Sequence, residues 1–199
     1  MKIIIIGGAG TIGQAIRKEL ATRHEVIVAG TKHGDIKVDM TDKQSIIQMY
    51  QTVGKLDAVI AAAGKVHFAA LQEMSAENYH IGLNDKLMGQ VNLVLQGLAY
   101  IQDNGSFTLT SGILSQDPIR YGSSASMVGG ALESFVKAAA IELPRGIRIN
   151  VVSPTVLTES LDQYGEYFHG FVPVSAAKVA LAYSKSVEGA QTGQTYRAN

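Results

Sequence analysis

The chain has 199 residues, of which 46% are hydrophobic and only 17% charged, and its 17 basic and 17 acidic side chains leave a formal net charge of zero. That length and composition suit one α/β domain whose sheet is buried on both faces, and the balanced charge without a basic patch argues against a nucleic-acid partner. With no cysteine, disulfides and thiolate metal sites are excluded; no apolar run approaches the ~20 residues of a membrane span, and no basic and apolar leader precedes the first strand, so a cytoplasmic protein is expected.

The first predicted strand is Lys2–Ile6, with four consecutive isoleucines. It runs into Gly7-Gly8-Ala9-Gly10-Thr11-Ile12-Gly13, read either as Gly8-x-Gly10-x-x-Gly13 or as Gly7-x-x-Gly10-x-x-Gly13. Gly7 permits a tight turn with positive φ. Gly10 lets the backbone approach a pyrophosphate, and Gly13 lets the next helix pack closely on the strand. That helix, near Ile12–Arg23, carries Ile12, Ala15, Ile16 and Leu20 on one face. Its free N–H groups and its dipole favour phosphate. Strand, glycine turn and helix together point to a dinucleotide site.

The second strand is Glu25–Ala29 and the third Ile36–Val38. The six or so residues between them are too few for an ordinary parallel crossover. Either the loop lies flat over the sheet edge or the third strand is marginal. A helix starts near Thr41, where Thr41-x-x-Gln44 has the form of a capping box. Then follow a strand at Leu56–Ala62, a long helix over Ser75–Ile101 with Ser75 as N-cap, and a strand at Ser106–Thr110. A second long helix spans Ser123–Leu143, followed by a strand at Ile147–Val152, a helix at Ser175–Glu188 and a last strand at Gln194–Arg197. The alternation predicts a Rossmann-like, doubly wound parallel sheet in a single domain spanning 1–199.

Several segments carry a family likeness in their order and spacing. They are Ile6-Gly7-Gly8-Ala9-Gly10-Thr11-Ile12-Gly13, Val38-Asp39-Met40-Thr41-Asp42, Ala61-Ala62-Ala63-Gly64, Leu109-Thr110-Ser111-Gly112, and Arg148-Ile149-Asn150-Val151-Val152-Ser153-Pro154, followed by Thr155. Over its whole length the chain resembles the short-chain dehydrogenase/reductase family, in a compact form. The resemblance implies cofactor contacts from Gly7, Gly10, Thr11, Ile12 and Gly13 at the glycine turn, and from Asp39 and Met40 at the adenine. It adds Ala62, Ala63 and Gly64 after the fourth strand, Pro154, Thr155 and Val156 after the sixth, and Thr158 at the nicotinamide amide.

It also implies catalysis by Asn, Ser, Tyr and Lys, and here the chain departs from the pattern. Ser111 matches the Ser that polarises the substrate oxygen. Counting along the helices puts Lys86 at the Asn position, Ala125 at the Tyr position and Gly129 at the Lys position; Tyr121 lies nearby. Ser111 is either a strand terminator or a site residue. Lys86 is either a solvated side chain or a relocated cation. Tyr121 is a lid or packing residue, or else a substitute acid. Asp39 is an adenine ligand or a helix-leading cap.

Cofactor choice turns on Ala29-Gly30-Thr31-Lys32-His33, where no acid stands to bind a ribose 2′-hydroxyl. Thr31 and Lys32 suit a 2′-phosphate, hence NADP with NAD as the alternative, unless Lys32 is simply solvated. The aromatic residues of Thr158–Phe171 either cover a small pocket or pack helices. Five scattered histidines lack metal spacing, so no metal is expected. Two functions stand: an NADP-dependent oxidoreductase of a small carbonyl or alcohol, or a non-catalytic dinucleotide-binding sensor or scaffold. A third reading is a structural relic that binds only itself. The resemblance implies a homodimer or tetramer through the helices 75–101 and 123–143.

Overall fold

The computed structural model describes residues 1–199. Seven strands form one parallel sheet: β1 (Lys2–Ile6), β2 (Glu25–Gly30), β3 (Ile36–Lys37), β4 (Leu56–Ala61), β5 (Ile101–Thr110), β6 (Arg148–Pro154) and β7 (Thr195–Ala198), in the order β3-β2-β1-β4-β5-β6-β7. The order reverses between β1 and β4, which opens a crevice at the carboxyl ends of the strands.

Alternation along β1 explains the run of isoleucines. Ile4 and Ile6 join the core under α2 (Lys43–Val53), α4 (Gln90–Gly97) and α5 (Ser123–Glu142), with Met49, Leu93 and Val136. Ile3 and Ile5 join the opposite core under α1 (Thr11–Leu20) and α7 (Ala176–Glu188), with Ile16, Val179 and Tyr183. All four are fully or almost fully buried, so both faces of the strand must be apolar.

The edge beyond β2 has no crossover helix. Residues 31–35 fold back instead: Asp35 N–H donates to the Val28 carbonyl at 2.8 Å, and Val28 N–H donates to Asp35 Oδ2 at 2.9 Å. These bonds satisfy part of β2 that the two-residue β3 does not reach. Both expectations for this segment therefore hold together.

Two local expectations are corrected. The cap of α2 is Asp42, whose side chain accepts from Gln44 N–H at 2.8 Å. Thr41 is instead turned toward Asp39, to which it donates through both N–H and Oγ1. The long helix predicted to reach Ile101 stops at Gly97 and is not uniform. Ser75 caps α3 (Ala76–Gly82) with Asn78 in a reciprocal box, a π-helical stretch covers Leu83–Gly89, and α4 follows. A Cβ on Gly97 would lie 2.7 Å from the Tyr50 hydroxyl, so the helix passes this point at close quarters before turning. Ile101 already belongs to β5, whose pairing with β4 shifts register between Leu56 and Ala58; Asn104 takes positive φ in that irregular start.

Candidate functional site

The glycine turn behaves as its spacing implies. Gly7 has φ +82, and a Cβ there would sit 2.6 Å from the Ala62 carbonyl oxygen. A Cβ on Gly13 would collide with the Gly7 carbonyl, so α1 leaves β1 at a distance only glycine allows. Gly10 differs: a Cβ would meet nothing closer than Gly7 O at 3.4 Å, and the residue is exposed. As N-cap of α1 it offers no side-chain bond, and the first turn carries no acid. The first N–H groups of α1 are left for an outside acceptor.

Beside this turn lies a cleft of about 550 Å³ bounded by Gly8, Ala9, Arg17, Lys18, His33 and Asp35. The Asp35 carboxylate is engaged by the β2 backbone, so the cleft's free charges are basic. Thr31 and Lys32 are exposed at the end of β2. Asp39 is exposed, and its carboxyl is held below the usual range by two hydrogen bonds from Thr41. The Met40 side chain is buried against Gly89, which leaves only its backbone for a ligand.

A second cavity, of about 530 Å³, opens at the carboxyl end of β5 and β6. Its wall brings together Lys86, Ser111 and Tyr121 with Ile12, Pro154 and Thr155. Val156 and Ala125 also line it, whereas Thr158 does not. Tyr164, Tyr167 and Phe168 cover one side, and Phe171 supports Phe168 edge-on at 5.3 Å. The aromatic segment therefore serves both readings, part cover and part packing.

Lys86 sits in the π-helical stretch, a wide turn often found where a helix carries a functional side chain. Its stem packs on Gly64, where a Cβ would lie 2.8 Å from Lys86 Cγ. Burial pushes the ammonium's pKa below the ordinary lysine value, against a smaller upward pull from Asp85. Gln90, fully buried, secures this turn. Its amide donates to the Lys86 carbonyl at 3.0 Å and to the Thr110 carbonyl at 3.0 Å, and accepts from Thr110 N–H at 2.8 Å. One side chain thus ties the Lys86 turn to the strand end that presents Ser111.

Ser111 is buried, and its hydroxyl donates to Glu133 Oε1 at 2.9 Å. Ser115 donates to the same oxygen at 2.6 Å, and Gln116 reaches both oxygens more loosely. A hydroxyl has one proton, so Ser111 presents only lone pairs to the cavity in this arrangement. At the Lys position the helix carries Gly129, where a Cβ would lie 3.2 Å from Ser115 Cβ. A side chain at this position would press on Ser115. Tyr121 has φ +67, is 44% exposed, and meets Tyr167 edge-on at 6.1 Å.

Gln90, Glu133 and Arg120, which also lines the cavity, escaped the sequence reading. For Gln90 a signal existed in its i, i+4 spacing from Lys86. Nothing local marks the other two.

A doubly wound sheet with a glycine turn at its switch point and a cavity at its carboxyl edge defines a Rossmann-like α/β protein. The family model described as enoyl-(acyl carrier protein) reductase matches residues 7–190. The chain belongs to the short-chain dehydrogenase/reductase family of oxidoreductases. It is 52% identical to the Listeria innocua protein lin1944, whose solved structure matches with a TM-score of 0.99 over all of both chains. A small-chain dehydrogenase solved in complex with NADPH is 24% identical, with a TM-score of 0.89 over 100% of this chain and 96% of its own. An uncharacterised oxidoreductase of Methylorubrum extorquens is 26% identical, over 82% of this chain and 77% of its own. No helix is long and apolar enough to cross a membrane.

Proposed function

We propose that this chain is an NADPH-dependent reductase of a small carbonyl compound in which Lys86 donates the proton. The observation that carries the reading is the shared cavity, where Lys86 and Ser111 line one wall with Ile12, Pro154 and Thr155. The glycine turn fits a dinucleotide, since Gly10 leaves open space before free N–H groups. Thr31 and Lys32, with Arg17, Lys18 and His33 of the adjoining cleft, suit a 2′-phosphate and favour NADP over NAD. The NADPH bound to the 24%-identical dehydrogenase agrees with that choice. Asp39, the Met40 backbone and Ala62–Gly64 would border the adenosine half. Pro154–Val156 and Thr158 would border the nicotinamide half.

When bound, the dinucleotide would supply the hydride for the carbonyl carbon. Lys86 Nζ holds a proton and passes it to the carbonyl oxygen as that oxygen gains charge, then recovers one from solvent. The lowered pKa brings this ammonium closer to working pH. Ser111 accepts a hydrogen bond and orients the donor, because its own proton is held by Glu133. Tyr121 closes the mouth with Tyr167.

NADPH oxidation followed with a panel of aldehydes and ketones tests the reading. Turnover is expected, with kcat/KM lowered about 100-fold or more by Lys86→Met and less by Ser111→Ala. No oxidation with any carbonyl would remove it. Ala125 and Gly129 at the proton-transfer positions favour a second reading, a non-catalytic sensor, which predicts NADPH binding by calorimetry without turnover. The exposed Leu95, Met127 and Ile141 on α4 and α5 support a homodimer or tetramer, read by light scattering on the same sample.

A further inference from the structure

We infer that the cavity selects an anionic substrate, a small apolar or aromatic oxo acid whose carboxylate is held by Arg120. The carbonyl end of this assignment rests on the reductase reading; the anion site does not.

Arg120 lines the cavity, and so does Lys86, while no Asp or Glu does. The chain's four ion pairs are formed by Arg23, His24 and Arg145, so Arg120 has no carboxylate partner of its own. Glu133, behind the Ser111 wall, is already engaged: it accepts from Ser111, Ser115 and Gln116. With two cations and no acid on its wall, the cavity favours an anion over a neutral ligand of the same shape.

Arg120 is exposed, and the backbone fixes the turn that carries it. Ile119-Arg120-Tyr121-Gly122 is a turn closed by Gly122 N–H donating to the Ile119 carbonyl at 3.3 Å. Its third residue, Tyr121, takes φ +67, a conformation that strains a non-glycine residue. The strained turn brings Arg120 and Tyr121 together to the mouth, immediately before α5. Phe68, Tyr164, Tyr167 and Phe168 supply flat apolar walls around them, suited to a ring. Pro154 and Thr155 form the part of the cavity assigned to the nicotinamide, which leaves the aromatic walls for the substrate.

The probes are 2-oxo-2-phenylacetate and its methyl ester, which differ mainly in charge. Both are titrated into the NADPH-loaded protein by calorimetry, and NADPH oxidation is followed in parallel. The acid is expected to bind about tenfold to hundredfold more tightly than the ester, the range of a charge-assisted contact. In Arg120→Gln the preference should fall to about twofold or less, with NADPH affinity as the check on folding. Equal affinity for acid and ester in the wild type, or an unchanged preference in Arg120→Gln, would overturn the inference. A preference that follows Arg120 without NADPH oxidation keeps the anion site and removes the reductase reading. Oxidation of both probes without preference does the reverse.

Discussion

The two halves of the crevice are built from different materials. At the glycine turn the chemistry lies in the backbone: positive φ at Gly7, a close approach at Gly13, open space at Gly10. At the ends of β5 and the π-helical stretch it lies in side chains, and the resemblance implies that those have been exchanged, with Lys86, Ala125 and Gly129 at the positions of Asn, Tyr and Lys. A backbone site tolerates few residues, because a Cβ collides at Gly7 and Gly13 and at Gly10 would occupy the space before the free N–H groups. A side-chain site can be rebuilt if neighbours supply replacement groups, as Glu133 does for Ser111 and Gln90 for the Lys86 turn.

The largest contrast should come from the glycines themselves. Gly13→Val forces the Gly7 carbonyl aside and should destabilise the fold by about 3 kcal/mol or more, seen as a large drop in Tm. Gly10→Val should leave Tm nearly unchanged yet abolish NADPH binding by calorimetry. Equal Tm losses in the two variants would break the distinction between packing and ligand glycines.

Lys86 should sharpen the other half. Its folded pKa lies below the ordinary lysine value. Between those two values the unfolded chain holds a proton that the folded chain has released, so stability rises with pH across that window. Lys86→Met should flatten this slope and raise Tm at neutral pH, by about 2–4 °C for each kcal/mol recovered. The wild-type reductase rate should fall as pH rises through the same lowered pKa, because the proton donor is lost. A rate that stays flat into the ordinary lysine range would remove Lys86 as the acid.

The smallest effect should come from the support between the halves. Gln90→Leu leaves the Thr110 N–H and two carbonyls without partners, at about 1–3 kcal/mol for the buried groups. Urea unfolding reads the stability loss. A kcat that falls while NADPH affinity holds would show that Gln90 positions Lys86 rather than only filling space.

Much of the fold was legible along the chain, because each signal acts over a few residues. The isoleucine run, the glycine spacing and the Ser75 cap each fix a local conformation that tertiary packing did not overrule. The end of the long helix was not legible. Leu98, Tyr100 and Ile101 continue an apolar pattern, and only the approach of Gly97 to Tyr50 and Phe107 marks the stop. The cap of α2 was misplaced by one residue because Thr41 and Asp42 are both good caps, and Asp39 draws Thr41 away.

By itself, the sequence determined the Rossmann-like sheet, the glycine turn and the absence of any Tyr-x-x-x-Lys, all matters of period, spacing and residue identity. Only the tertiary structure decided which side chains meet at the cavity. The Ser111 proton goes to a carboxylate 22 residues away, a side chain at Gly129 would press on Ser115, and Lys86 and Arg120 face one cavity without an acid. Such contacts join residues distant in the chain, and their energies depend on burial and approach, which no local pattern encodes.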